Sequence, residues 1–127
     1  MQFIQSKAIP VSGAPYNHIV IDDHYAFIAG VVAADFPEGQ AVLGDISMET
    51  SAVLKAIGRM LEEIGLSLPD VVRSDVHLAD LDDFDALDEA YRKFFEPNRF
   101  PARTVTESKR LFGGSLVEIT CMARLRK

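Results

Sequence analysis

Apolar and polar positions alternate over short distances at the start of the chain. The pattern predicts three short strands, which lie at residues 2–6, 19–21 and 25–29. Asp22–His24 separates the second strand from the third and predicts a hairpin turn. Residues 30–44 contain a proline and glycines, so we predict a loop there.

Two later segments repeat apolar residues with the 3.6-residue period of an amphipathic helix. The first segment begins at Asp45 or Ser47 and ends at Gly65, a residue typical of helix C-termini. Its predicted buried positions are Val53, Ile57, Met60, Leu61 and Ile64. The second segment begins near Asp80, Asp82 and Asp83, whose negative charges favour the positive end of a helix dipole, and ends before Pro97. Its predicted buried positions are Phe84, Leu87, Tyr91, Phe94 and Phe95.

The remaining strands show the two-residue period of a sheet with distinct faces. The first of them is predicted to place three apolar residues on one face and three polar residues on the other: Val72, Val76 and Leu78 against Arg73, Asp75 and His77. Another strand is predicted near residues 102–110, and a turn at Gly113–Gly114 leads into a last strand at 115–126. The order β-β-β-α-β-α-β-β predicts an α+β fold, in which both helices pack on one face of a mixed sheet.

The last strand predicts contact with a second copy of the chain. One set of alternating side chains is apolar and belongs against the helices: Val117, Ile119, Cys121, Ala123 and Leu125. The opposite set still includes Leu116 and Met122 beside Glu118. Since two helices cover only one face of a sheet, we expect the other face to be covered by another subunit.

Length, charge and cysteine content limit the class of protein. The chain has 127 residues, which predicts one domain spanning residues 1–127, and its net charge is −6. An acidic protein is poorly suited to nucleic acid, so we expect a small-molecule ligand. The single cysteine, the absence of a recognisable signal peptide and the absence of an apolar run of about 20 residues predict a cytoplasmic protein that does not bind membranes.

Three side chains are candidates for chemistry. The guanidinium of Arg103 matches a carboxylate or phosphate with two parallel hydrogen bonds, although a structural salt bridge, for example to Asp75, is the alternative. Glu118 lies mid-strand on the predicted interface face, where it either holds a water molecule or forms an intersubunit ion pair. Tyr16, in a predicted turn, either covers a pocket or packs against its neighbours.

Other reactive residue types carry no such pattern. His18, His24 and His77 lack the spacing of a metal site, and we predict neither a metal nor a cofactor. Cys121 faces the predicted core and is expected to be inert. The sequence has no phosphate-binding glycine loop and no arrangement of a serine, a histidine and an acid that indicates nucleophilic catalysis.

With these residues in view, the chain resembles the RidA (YjgF) family of imine and enamine deaminases, also called the endoribonuclease L-PSP family. The resemblance runs from about residue 5 to residue 125. It is carried by Gly13–Tyr16, Phe27–Gly30, Asp35 with Gly39, Leu61–Gly65, Leu68–Arg73, Asp82–Phe84, Tyr91–Phe95, Pro101–Thr104 and Val117–Ile119. Each motif alone is weak, but their shared order and spacing are specific.

The resemblance implies a chorismate-mutase-like (bacillary) fold and a homotrimer whose sheets line a central barrel. It implies a deaminase of the 2-iminobutanoate/2-iminopropanoate type, with its sites in clefts between subunits. Arg103 would bind the carboxylate of a 2-imino acid, and Glu118 would position the attacking water. Tyr16, Gly30 and Val31 would line the substrate site. The products would be a 2-keto acid and ammonia, and no cofactor is implied.

The chain departs from the family pattern at several positions near the implied site. Ala29-Gly30-Val31 stands where the family often has Ser-Gly-Gln, Asp88 where it often has Asn, and Val105 where it often has Cys. These differences bear on substrate identity more than on reaction type, and they leave open a family member that binds its ligand without turnover.

Two other functions stay open. One is a module that binds a small carboxylic or keto acid without turnover. The other is an endoribonuclease or translation inhibitor, which the acidic charge and the absence of a pair of histidines for acid–base cleavage disfavour.

Overall fold

The computed structural model describes residues Met1–Lys127, and its strands form a single six-stranded sheet. The strands are β1 (Gln2–Ile4), β2 (Ile19–Ile21), β3 (Tyr25–Val32), β4 (Val71–Leu78), β5 (Ala102–Glu107) and β6 (Val117–Arg124). They lie in the order β1-β2-β3-β6-β4-β5. Only β4 and β5 run parallel, and every other neighbouring pair is antiparallel. The mixed sheet predicted from the sequence is therefore confirmed.

Two long helices cover one face of this sheet, as predicted. They are α2 (Ile46–Glu62) and α3 (Phe84–Arg92), and a short helix, α1 (Pro37–Gln40), precedes them. Asp45 caps α2, because its Oδ1 accepts a hydrogen bond of 3.0 Å from the backbone N–H of Met48. Gly65 follows the helix with a φ of +78°, a conformation that favours glycine.

The two faces of β6 differ as the alternation predicts. The side chains that meet the helices are fully buried, and they are Val117, Ile119, Cys121 and Ala123. Glu118, Thr120 and Met122 lie on the opposite face and are half-buried. We call this opposite side of the sheet the open face. Its apolar residues include Phe3 and Phe27, which are 61% and 41% exposed.

The segment predicted as a loop, residues 30–44, is more ordered than expected. Strand β3 continues through Gly30 to Val32, and a 3-10 turn and α1 follow. Phe36 beside Pro37 is fully buried and anchors this region to the core. Apolar packing therefore holds a segment whose proline and glycine content predicted a loop.

The predicted faces of β4 and of the second helix need correction. A bulge between Val71 and Arg73 turns Val71 into the core and leaves Val72 39% exposed. Phe84 begins α3 and is 37% exposed, whereas Leu87 and Tyr91 are buried as predicted. The helix ends at Arg92, so the half-buried Phe94 and Phe95 lie beyond it. Ile64 likewise lies beyond the end of α2.

None of the helices is both long enough and apolar enough to cross a lipid bilayer.

Candidate functional site

A hollow on the open face brings Tyr16, Gly30 and Glu118 together. It measures about 540 Å³ and lies between the N-terminal segment, β3 and β6. Its wall consists of Ile9, Pro10, Val11, Ser12, Ala14, Tyr16, Ala29, Gly30, Val32, Ala34, Asp35, Phe112 and Glu118. We call it the Glu118 hollow. The sequence predicted three of these residues as site residues, and the structure places all three in one wall.

Three features surround Glu118 in this wall: a register shift, a glycine and a buried carboxylate at the start of its strand. A register shift between Ile28 and Val31 disrupts the pairing of β3 with β6 near Gly30. A β-carbon at Gly30 would lie 2.8 Å from Oε2 of Glu118, so the glycine leaves the space that this carboxylate occupies. At the start of β6, the buried Glu49 carboxylate accepts hydrogen bonds of 2.8 Å from the backbone N–H groups of Gly44 and Leu116. The strand that carries Glu118 is therefore tied to the first turn of α2.

Val31 is separated from Glu118, although it lines a small cavity together with Tyr16 and Gly30. Its side chain is 3% exposed and belongs to the apolar core beneath the sheet. It does not line the Glu118 hollow, and Ala29 and Val32 do. The predicted contact between Val31 and a substrate stays a prediction.

A second hollow, of about 220 Å³, contains Arg103. Its wall consists of Asp88, Tyr91, Arg92, Phe100, Pro101 and Arg103. The guanidinium of Arg103 lies 4.9 Å from the centre of the Tyr91 ring, close enough for a cation–π interaction. We call this the Arg103 hollow. It lies at the edge of the sheet, because β5 is the last strand.

Arg103 pairs with Asp88, and the partner suggested from the sequence, Asp75, was wrong. Nη1 of Arg103 lies 2.8 Å from Oδ1 of Asp88 on α3. This short contact is not aligned as a hydrogen bond, since the buried Oδ1 atom has no hydrogen-bond partner. Asp75 instead accepts a hydrogen bond of 3.0 Å from Arg73. Asp75 lies on the open face, because it neighbours Thr120 in the sheet, while Arg103 faces the helices.

Arg103 and Glu118 lie on opposite faces of the sheet. Arg103 stands opposite Ser74, whose hydroxyl is 2.6 Å from the hydroxyl of Tyr91 on the helix side. Glu118 stands opposite His77 on the open face. One chain therefore does not bring the two predicted catalytic side chains to the same small molecule.

The buried His18 lies near the half-buried Asp35, an arrangement that the sequence did not indicate. His18 is 2% exposed, and its Nδ1 accepts a hydrogen bond of 2.9 Å from the backbone N–H of Ser6. In the neutral ring the proton is then on Nε2, which is buried without a partner. Both residues line a cavity with about 10 Å³ for the centre of a water molecule. Burial raises the pKa of Asp35, and the nearby His18 partly opposes this shift.

The remaining reactive residues have structural surroundings. Nδ1 of His77 lies 2.6 Å from the hydroxyl of Thr106, and His24 is exposed. No group of three or more histidine, cysteine, aspartate or glutamate side chains is placed to hold a metal ion. Cys121 is buried among apolar residues, and burial raises the pKa of its thiol to about 12.

The α+β fold, with one hollow on each face of its sheet, defines the class of protein, and comparison with known proteins defines the family. The model of the Endoribonuclease L-PSP family matches residues 6–125. The chain belongs to this family, which is also known as RidA/YjgF. The resemblance seen in the sequence is therefore confirmed.

Relatives of known sequence are similar over nearly the whole chain. A RutC family protein of Synechocystis is 35% identical over 98% of this chain and 97% of its own length. The human 2-iminobutanoate/2-iminopropanoate deaminase is 34% identical over 94% of this chain and 87% of its own length. Among solved structures, RidA from an Antarctic Psychrobacter has a TM-score of 0.86 at 27% identity and covers 98% of this chain and all of its own.

Proposed function

We propose that the protein hydrolyses small 2-imino or enamine acids to 2-keto acids and ammonia, in clefts between the subunits of a homotrimer. One observation carries the proposal: the Arg103 hollow and the Glu118 hollow lie on opposite faces of one subunit. A substrate of a few carbon atoms reaches both side chains only if they come from different copies. The deaminase activity named for relatives of about 34% identity supports this reaction.

Arg103 binds the substrate carboxylate in this proposal. Its side chain is about one-fifth exposed, and the ring of Tyr91 lies beside the guanidinium. A planar fork of donors fixes both carboxylate oxygens, and partial burial strengthens the attraction. The carboxylate then holds the neighbouring imine carbon in a fixed direction.

Glu118 positions the water that attacks the imine carbon. Its carboxylate accepts a proton from this water as the C–O bond forms to the protonated imine, and the C=N electron pair becomes the lone pair of the amino nitrogen. Glu118 then passes that proton to the nitrogen. As the C–N bond breaks and ammonia leaves, the hydroxyl of the carbinolamine becomes the carbonyl and gives its proton to Glu118, which passes it to the departing ammonia. An imine is already electrophilic, so holding water and substrate together supplies most of the rate enhancement. The step consumes one water and requires no cofactor. Tyr16 and Gly30 contact the substrate from the same wall.

The test uses imines made in situ by an amino acid oxidase, with semicarbazide present as a competing trap. We expect the protein to accelerate ammonia release and to lower the yield of semicarbazone. The Arg103→Ala variant should lose this effect. Lys109→Ala, which removes an exposed cation near the end of β5, serves as the control. Equal semicarbazone yields with and without the protein, for several 2-imino acids, would refute the proposal.

Binding without turnover is the second candidate, and the wall of the Glu118 hollow favours it, because most of its residues are apolar and few can assist Glu118 in proton transfer. Calorimetric binding of a keto acid, combined with no ammonia release from any 2-imino acid tested, would identify the protein as a sensor.

A further inference from the structure

We infer that Asp88 is a specificity-determining residue, which makes the Arg103 hollow prefer ligands with a cationic nitrogen beside their carboxylate. In the proposed deamination, on which this inference rests, such a ligand is the protonated 2-imino acid. The product, a 2-keto acid, carries a neutral carbonyl oxygen at the same position. Asp88 therefore separates substrate from product by charge.

The geometry places Asp88 within the ligand's reach. Its side chain is 25% exposed and forms part of the wall of the Arg103 hollow. The buried Oδ1 lies 2.8 Å from Arg103, so the exposed part belongs to the remaining atoms of the side chain, which include Oδ2. A ligand whose carboxylate binds Arg103 thus has a second carboxylate at its side.

Arg92, the other cationic side chain of the Arg103 hollow, does not form a salt bridge with Asp88. Arg92 also lines the hollow, and its guanidinium lies 5.7 Å from the centre of the Phe100 ring. The wall therefore carries two cations and one anion. Of these, Arg103 alone forms a salt bridge with Asp88. Glu89, the next residue of α3, is exposed and is not part of the wall.

The ligand's own charges decide how this arrangement acts on binding. A keto acid brings one negative charge to a cation that already has an anionic partner, and its carbonyl oxygen can only accept hydrogen bonds. Asp88 repels both groups when it is ionised. An iminium or ammonium nitrogen donates hydrogen bonds and carries a positive charge, so Asp88 attracts it. An asparagine at this position would lose that attraction and could donate to the carbonyl.

Calorimetry on a matched pair of stable ligands tests this inference. Alanine has an ammonium group beside its carboxylate, and pyruvate has a carbonyl there. We expect Asp88→Asn to bind pyruvate about tenfold more tightly and alanine about tenfold more weakly than the parent does, each corresponding to about one pKa unit of charge interaction. The ratio of the two Kd values then changes about 100-fold. Glu89→Gln removes the same charge outside the wall and should leave the ratio unchanged.

Several outcomes would overturn the inference. They are an unchanged Kd ratio in Asp88→Asn, an equal change in Glu89→Gln, or no binding of either compound by the parent at millimolar concentration. If Asp88→Asn does not fold, Asp88→Ser makes the same test. The ratio is measured without turnover, so it stands apart from the deaminase assay. A changed Kd ratio without ammonia release would support the role of Asp88 and refute the deaminase proposal. Ammonia release with an unchanged Kd ratio would support the deaminase proposal and refute the role of Asp88.

Discussion

The carboxylate of Glu118 occupies the space where a side chain at position 30 would begin. A β-carbon built on Gly30 falls 2.8 Å from Oε2 of Glu118, closer than real β-carbons approach other atoms. Gly30 belongs to β3 and Glu118 to β6, so the contact crosses the sheet between neighbouring strands. The glycine is therefore required for the position of the proposed water-holding group, and its backbone conformation is not the reason, since its φ is not positive.

Gly30→Ala should lower deaminase activity at least tenfold while the protein stays folded. The new methyl group meets the far end of a flexible side chain, so Glu118 can move aside, but it then leaves the place where it holds water. Gly13→Ala is the matched control, because a β-carbon there meets no atom within 4 Å. Ammonia release and thermal unfolding of both variants give the comparison. An active Gly30→Ala protein would show that the position of Glu118 is unimportant.

Cys121 should resist thiol reagents in the folded protein. Burial raises the pKa of its thiol to about 12, so at pH 8 only about one molecule in 10⁴ carries the reactive thiolate. A disulfide reagent with a chromophore should react slowly at pH 8 and stoichiometrically in guanidinium chloride. Rapid labelling without denaturant would contradict the burial of this side chain.

Asp35→Asn should stabilise the protein at neutral pH. Burial raises the pKa of Asp35 above its ordinary value of 3.8, so the folded state binds the proton more tightly than the unfolded state. The free energy of unfolding therefore falls as the pH rises from 3.8 through the folded-state pKa, and this loss persists above it. Asparagine does not titrate, so the free energy of unfolding of the variant does not fall in this way as the pH rises. Urea unfolding at pH 4 and pH 7 should show a larger gain at pH 7, and Asp23→Asn, at an exposed position, should show none.

The open face should be the contact surface between subunits. Phe27 is 41% exposed there and stands opposite Met122 in the sheet. Monomeric proteins rarely expose adjoining large apolar side chains without a partner. We expect light scattering to give the mass of a trimer for the parent and a lower mass for Phe27→Asp. A monomeric parent at micromolar concentration would contradict both this surface and the proposed intersubunit site.

The sequence correctly predicted the elements in which the apolar residues recur with the same period as the buried positions of the structure. Alternation in β6 gave the correct faces for Cys121 and Glu118, and the apolar period of α2 gave Val53 and Ile57 correctly. The exposure of Val72 was missed because a bulge adds one residue to β4, and alternation does not survive such an insertion. The length of β3 was underestimated because Gly30 predicted the start of a loop. In the structure this glycine lies within the strand and leaves space for the Glu118 carboxylate.

The candidate site was harder to predict from the sequence, because the residues that contact one another there come from distant segments of the chain. Arg103 is separated from Asp88 by 15 positions and lies on a different element, and only the packing of α3 on β5 brings them together. His18 showed no pattern because its partner, Ser6, contributes a backbone N–H, which any residue type provides. Predicting that Arg103 and Glu118 face opposite sides of one sheet requires the strand order. The spacing of residues in the sequence does not give that order.

Arg103 and Glu118 should separate substrate binding from turnover when each is changed conservatively. Glu118→Gln keeps the size and hydrogen bonding of the side chain but cannot accept the proton of the attacking water. It should lower kcat by about 10²–10⁴ and leave the Kd for pyruvate nearly unchanged or slightly tighter, because one nearby anion is removed.

Arg103→Lys keeps a positive charge beside Asp88 and loses the planar fork that binds two carboxylate oxygens. We expect it to fold, to weaken pyruvate binding, and to lose most of its deaminase activity. Arg103→Ala should weaken that binding further, by about 2–5 kcal/mol, the usual cost of breaking a buried charged pair. Calorimetry and ammonia release on the three variants distinguish the two roles. Full activity of Arg103→Lys would make Arg103 structural, and full activity of Glu118→Gln would mean that another group activates the water.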